Sequence, residues 1–248
     1  MLQFILPRTY IPYMLRHNRP ILHWWRHNRL YWIAFTLFLI VGGVILLFIE
    51  KGDGVLYFSA QRSPFGDTFF TYFTKAGEHI GYIIFLIILL FVRYRAIVML
   101  PLIGLSVAIV SAITKSVFAQ PRPALYFKEM DMLEMIIPVA GVAMHGGNSS
   151  FPSGHTMSAF ALYTFLALTL SYKRSLSLVL LLVAVLVGVS RIYLVQHFLE
   201  DVVTGAAIGA AIGTLWYHWQ YRLFPVPHKW ADKHLTLPFG TQSKKEKA

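Results

Sequence analysis

This sequence predicts an all-α fold, a polytopic membrane bundle of six transmembrane helices, and three observations carry that expectation. Only 13% of its 248 residues are charged while 56% are hydrophobic, far from the roughly 25% charged of a soluble domain. The hydrophobic residues fall in blocks rather than at amphipathic spacing, with lengths near the roughly 17–25 residues that a bilayer demands of a helix. Lysines and arginines gather at alternate ends of those blocks, as cytoplasmic retention of positive charge requires.

Taken in chain order, residues 1–29 carry Arg8, Arg16, Arg19, Arg26 and Arg29 together with Trp24 and Trp25. That is too long and too aromatic for a signal peptide, it lacks a small-residue cleavage site, and it is expected to persist as a cytoplasmic interfacial segment. One membrane domain over 30–222 follows, with spans expected at 30–49, 78–92, 97–118, 155–171, 175–194 and 201–222. The second is the shortest, its strictly apolar part running only from Ile80 to Val92. Residues 223–248 form a cytoplasmic basic tail, low in apolar content after Pro238.

With the N-terminus inside, fifteen of the 22 lysines and arginines fall on one side, including Arg93, Arg95, Lys173, Arg174 and Arg222, and nine of the 11 acids on the other. Both termini are therefore expected in the cytoplasm. The net charge of +11 is explained by this flanking, and no basic stripe interleaved with aromatics suggests nucleic acid. Cysteine is absent, which excludes a disulfide framework, a thiolate metal site and a cysteine nucleophile. Gly205, Gly209 and Gly213 recur at four-residue spacing in the last span, a pattern that fits either a dimer face or close packing inside one chain.

Three polar clusters lie at the predicted external ends of spans three to six: Lys115 with Arg122 and Pro123; Pro152, Ser153, Gly154 and His155; and Ser190, Arg191, His197 and Asp201. Ionisable groups at membrane depth are costly and mark function. Lys115, Arg122 and Arg191 suit a phosphoryl dianion, because guanidinium forks bind its oxygens in pairs and an ammonium adds a point charge. Ser153 and the amides of Gly154 and His155 add donors at a helix N-terminus, itself an anion site.

His197 and Asp201 stand four apart and share a face if the last helix extends back to include both. Asp201 would then fix the imidazole tautomer and leave the other nitrogen free to attack phosphorus, with His155 as general acid and later general base. His79, His145 and His218 read as interfacial side chains. Histidines and an aspartate also suit zinc or magnesium, but three cations in one pocket repel a divalent ion. No metal and no other cofactor is expected.

In type, spacing and order these residues resemble the three-part signature of the type 2 phosphatidic acid phosphatase superfamily. The resemblance implies a metal-free phosphatase, with His197 as nucleophile, Asp201 orienting it, His155 as acid, and Lys115, Arg122, Ser153, Gly154 and Arg191 binding phosphate. Six spans match its membrane branch, whose substrates include phosphatidic acid, phosphatidylglycerol phosphate, undecaprenyl diphosphate and lipid A phosphates. The expected partners are a lipid phosphate and the bilayer of the cell (inner) membrane, with the site facing the periplasm or cell exterior. Some relatives are phosphotransferases. Outside the enzymes, an anion transporter with a phosphate site also fits the basic cluster, although it would not need His155, His197 and Asp201 together. The loop from Ala124 to Ser150, rich in methionine and isoleucine, fits either an interfacial gate or a short helix packed over the bundle.

Overall fold

The computed structural model describes residues 20–170 and 174–236, and among them every regular element is a helix. Most of the predicted N-terminal segment and the end of the tail lie outside the described residues, as does the turn at 171–173. The helices in order are α1 (Pro20–Phe48), α2 (Asp53–Ala60), α3 (Pro64–Phe73), α4 (His79–Leu90), α5 (Tyr94–Phe118), α6 (Pro123–Glu129), α7 (Gly154–Thr169), α8 (Arg174–Tyr193) and α9 (Leu199–Leu223). A 3₁₀ turn, Thr74–Gly77, joins α3 to α4.

Four stretches are long and apolar enough to cross a membrane: Asn28–Phe48, Tyr94–Glu129, Ser175–Tyr193 and Leu199–Leu223. They correspond to predicted spans one, three, five and six. The segment of the second span reaches that length only as a pair bent by 57°, Pro64–Gly77 with His79–Leu90. α7, at the predicted fourth span, has only 16 residues. The described chain is thus an all-helical membrane bundle with four spanning helices, or five with the bent pair.

α7 forms the centre of the bundle. From Thr156 to Leu168 every residue but Ser158 is buried, with α8, α9 and α5 packed around it. The outer helices show apolar surface instead, as at Ile33, Leu37 and Ile40 of α1 and Leu105, Ile109 and Ile113 of α5. Such exposure suits lipid as solvent, where apolar side chains cost nothing outside. Polar links cross the core between helices, among them Tyr31 to Thr164 at 2.5 Å and Trp216 to Ser106 at 2.9 Å.

Gly205, Gly209 and Gly213 line the face of α9 against α7. A Cβ added at Gly205 would stand 2.7 Å from the Ser153 carbonyl, and at Gly209 and Gly213 it would strike the carbonyls of Met157 and Ala161. The small-residue stripe therefore serves packing within the chain, holding the N-termini of α7 and α9 side by side.

The described part of the tail is tied to the bundle. Residues 231–235 give their carbonyls to the Tyr94 and Arg95 amides and take the Leu90 carbonyl, and buried Arg95 pairs with Asp232 and with the Phe224 carbonyl. This strap satisfies the first amides of α5, which no helical partner can reach.

Candidate active site

All three clusters arrive at one end of the bundle. Lys115 lies in the last turn of α5, Ser153 caps α7, Arg191 lies in the last turn of α8, and Asp201 is in the first turn of α9. The chain between α8 and α9 folds on a single carbonyl: the amides of Gln196 and His197 both donate to the oxygen of Arg191, at 2.9 and 3.1 Å. Val195 takes φ 59° to make that turn. The interval between Arg191 and His197 is thus the length of one tight turn, which puts both side chains at the same site.

His197 and Asp201 are in contact, but not along one helix as the spacing suggested. α9 starts at Leu199 with Phe198 as its N-cap, so His197 precedes the helix. The Asp201 carboxylate reaches back from the first turn, and its Oδ2 accepts from the Phe198 amide at 3.0 Å, from His197 Nδ1 at 3.2 Å and from the Ser150 hydroxyl at 2.5 Å. A carboxylate only accepts, so Nδ1 carries the proton and the Nε2 lone pair is free. Burial pushes the His197 imidazole down from its usual range to about 4, with the nearby Arg191 and Arg122 charges adding to the effect and the Asp201 hydrogen bond opposing it. At neutral pH the ring is uncharged and competent as a nucleophile.

The three cations surround this dyad. Electrostatic interaction links Lys115 with Arg122, Arg191 and Asp201. Arg122 is steadied by the Ser149 hydroxyl at 3.1 Å from Nε and by the Gln196 carbonyl at 3.4 Å from Nη1. Arg191 gives Nη1 to Thr74 Oγ1 at 2.8 Å, while its buried Nε has no protein acceptor. A buried guanidinium with a free N–H suits an oxyanion acceptor.

Ser153 is buried; its hydroxyl accepts from Thr156 at 2.9 Å, and its amide donates to the Asp201 carbonyl at 3.0 Å, joining α7 to α9. At Gly154 an added Cβ would lie 3.8 Å from Lys115 Nζ and 3.3 Å from Ser111 Oγ. The missing side chain leaves the ammonium room beside the α7 amides. His155, half-buried, places Nε2 2.9 Å from Oε1 of Glu78.

The architecture carrying this site also has relatives. The sequence model of the PAP2 superfamily matches residues 95–225, from the start of α5 to just past α9. This chain belongs to the PAP2 superfamily. It is 31% identical over 197 residues to a lipid A 4'-phosphatase of Bacteroides thetaiotaomicron, covering 73% of this chain and 85% of that protein. It is 36% identical over 146 residues to lipid phosphate phosphatase 1 of Arabidopsis thaliana, where the match spans 50% of this chain and 44% of the relative. The chain thus spans less than half the length of the first curated relatives it matches. The crystal structure of Aquifex aeolicus LpxE superposes with a TM-score of 0.57 at 31% identity, over 69% of this chain and 96% of that one.

The PAP2 match contains every candidate site residue of the three clusters, and the structure brings all of them to one end of the bundle. It also shows partners that sequence reasoning missed. Ser149 and Ser150 stand just before the second cluster, in the unpatterned part of the loop. Thr74 and Glu78 lie outside the matched stretch altogether, in the bend between α3 and α4. The signal for Glu78 was an acid at a predicted span end, facing a basic cluster. Of the histidines read as interfacial, His79 faces an apolar groove between α4 and α5 and His145 is exposed. In the loop from Ala124 to Ser150, Phe127 and Ile136 are buried against Val55 and Phe198, while Met130, Met135 and Ile137 remain exposed. The loop is thus packed onto the bundle with an apolar rim left outward.

Proposed function

We propose that this PAP2 protein is an integral membrane phosphatase that removes phosphate from a lipid monophosphate or diphosphate, in the class of phosphatidic acid, phosphatidylglycerol phosphate, undecaprenyl diphosphate or lipid A phosphates. The observation that carries the reading is the His197–Asp201 dyad, tautomer fixed and ring neutral, inside a ring of three cations. The protein neighbours whose names give an activity are lipid phosphatases, which supports the substrate class.

In the proposed mechanism, Lys115, Arg122 and Arg191 bind the non-bridging phosphoryl oxygens, with the α7 amides and Ser153 adding donors. His197 Nε2 attacks phosphorus in line as the bond to the lipid oxygen breaks. His155 gives that oxygen its proton. The Nδ1 proton stays on the ring, hydrogen-bonded to Asp201, whose carboxylate stabilises the positive charge of the phosphohistidine. His155, now neutral, takes a proton from water, which attacks the phosphohistidine and releases inorganic phosphate. Charge neutralisation comes from the three cations, and the reading is metal-independent.

The same reading places α4 and α7 as membrane helices beside the other four, six in all, with both termini in the cytoplasm and the site facing the periplasm or exterior. Support comes from the asymmetry of lysine and arginine in the sequence. The test is phosphate release by the purified protein from a panel of lipid phosphates. Turnover is expected to persist in EDTA and to be inhibited by vanadate, which mimics the trigonal-bipyramidal phosphoryl group. Activity lost in EDTA and restored by a divalent ion would overturn the metal-free mechanism, and no release from any lipid would overturn the assignment.

A further inference from the structure

The bend between α3 and α4 lies outside the PAP2 match, yet it meets the site twice. Thr74 at its start accepts from Arg191 Nη1 at 2.8 Å. Glu78 at its end sets Oε1 2.9 Å from His155 Nε2. Between them Gly77 lies so close to α7 and α8 that an added Cβ would stand 3.0 Å from the His155 carbonyl and 2.6 Å from a Val187 methyl. The turn is thus seated on the backbone of the helix that bears His155. That packing fixes the backbone from which Glu78 reaches His155.

The chemistry of His155 gives this contact a purpose. A general acid has to hold a proton before it gives one up, yet burial first, and then the charges of Arg191 from α8 and Lys115 from α5, work against the imidazolium at His155, and only Glu78 works for it. Cations oppose an imidazolium and a carboxylate favours it. Asp201 is already committed to His197, Ser150 and the Phe198 amide. Among the described residues, the carboxylate that touches His155 is Glu78.

We propose that Glu78 is a positioning residue for the general acid: it holds His155 by Nε2 in its protonated form, so that the other ring nitrogen, Nδ1, donates to the leaving oxygen. This rests on the phosphatase reading above. As the P–O bond to the leaving group breaks, its electron pair stays on that oxygen and takes the Nδ1 proton. His155 becomes neutral, and Glu78 keeps its charge throughout. The bend is then a fourth element of the site, holding Arg191 through Thr74 and His155 through Glu78.

The test uses leaving groups of different need. p-Nitrophenolate departs without a proton, whereas the alkoxide of dioctanoyl phosphatidic acid does not. In the full-length protein in detergent, Glu78→Gln and Glu78→Ala are expected to lower kcat for dioctanoyl phosphatidic acid about 10- to 100-fold, in the range of lost outer-sphere partners. With p-nitrophenyl phosphate the loss should stay under about threefold, which also shows that the variants are folded. Adding Glu78→Ala to His155→Ala should cost nothing further, since the two act as one unit. Equal losses with both substrates would make Glu78 merely structural and overturn the proposal, as would full activity of Glu78→Gln on the phosphatidic acid or additive losses in the double variant. A wild type inactive on both compounds would instead overturn the phosphatase reading, and this inference with it.

Discussion

At the residue scale the proposed chemistry rests on one imidazole. His197→Ala removes the proposed nucleophile, and turnover should fall below about 1% of wild type, since general acid–base catalysis alone contributes only about 10²- to 10⁴-fold. A variant above that level, measured by phosphate release, would mean that another group attacks phosphorus. The pH profile carries the second prediction. The ring reacts only when neutral, and burial places its titration near 4. The acid limb of kcat/KM should therefore fall through about pH 4 rather than 6.5, with no loss from His197 as pH rises above that. A limb near 6.5 would mean a solvated ring. Ser150→Ala takes one of three donors from Asp201 Oδ2 and should lower kcat about 10-fold with little change in KM. The sequence showed His197 and Asp201 by their spacing, although the contact is made through the helix cap. It did not show Ser150 or Glu78, whose partners lie 51 and 77 positions away, where no local period operates.

At the scale of elements, five of the helices at predicted spans begin and end within about four residues of the expected limits, because long apolar blocks have one physical meaning in a bilayer. The exception is α1, which begins at Pro20, inside the predicted interfacial segment. What the blocks could not reveal is that α7 is the central helix, since burial by protein and exposure to lipid select the same apolar residues. α2 and α3 were also illegible: each is short, and their polar residues read as an external loop. α9 reaches α7 through glycine, so Gly209→Leu, which would drive a side chain into the Met157 carbonyl, should destabilise the bundle by at least about 1–3 kcal/mol. In a thermal scan in detergent its midpoint should drop, whereas Gly43→Ala, with open space around that position on α1, should leave it unchanged or raised. Equal midpoints would place the contact of α9 elsewhere.

For the whole molecule, sequence and structure agree that the three polar clusters gather at one end of an apolar bundle, and the expected side of the membrane rests on charge alone. By the predicted spans, lysine and arginine outside the three clusters are concentrated at the opposite end, so that end is expected in the cytoplasm. The chain has no cysteine, which makes single-cysteine labelling direct. Cysteine at exposed Asn148 should react with an impermeant maleimide on intact cells, and one at Ser175 should react only after permeabilisation. The reverse pattern would turn the site toward cytoplasmic lipids. The central claim, hydrolysis through His197, is tested most directly by trapping the intermediate. His155→Ala protein mixed with ³²P-labelled p-nitrophenyl phosphate and quenched in alkali should retain a label that is stable to base, lost in acid, mapped to the peptide containing His197 and absent from His197→Ala. A label on another residue, or persisting after His197→Ala, would contradict the account.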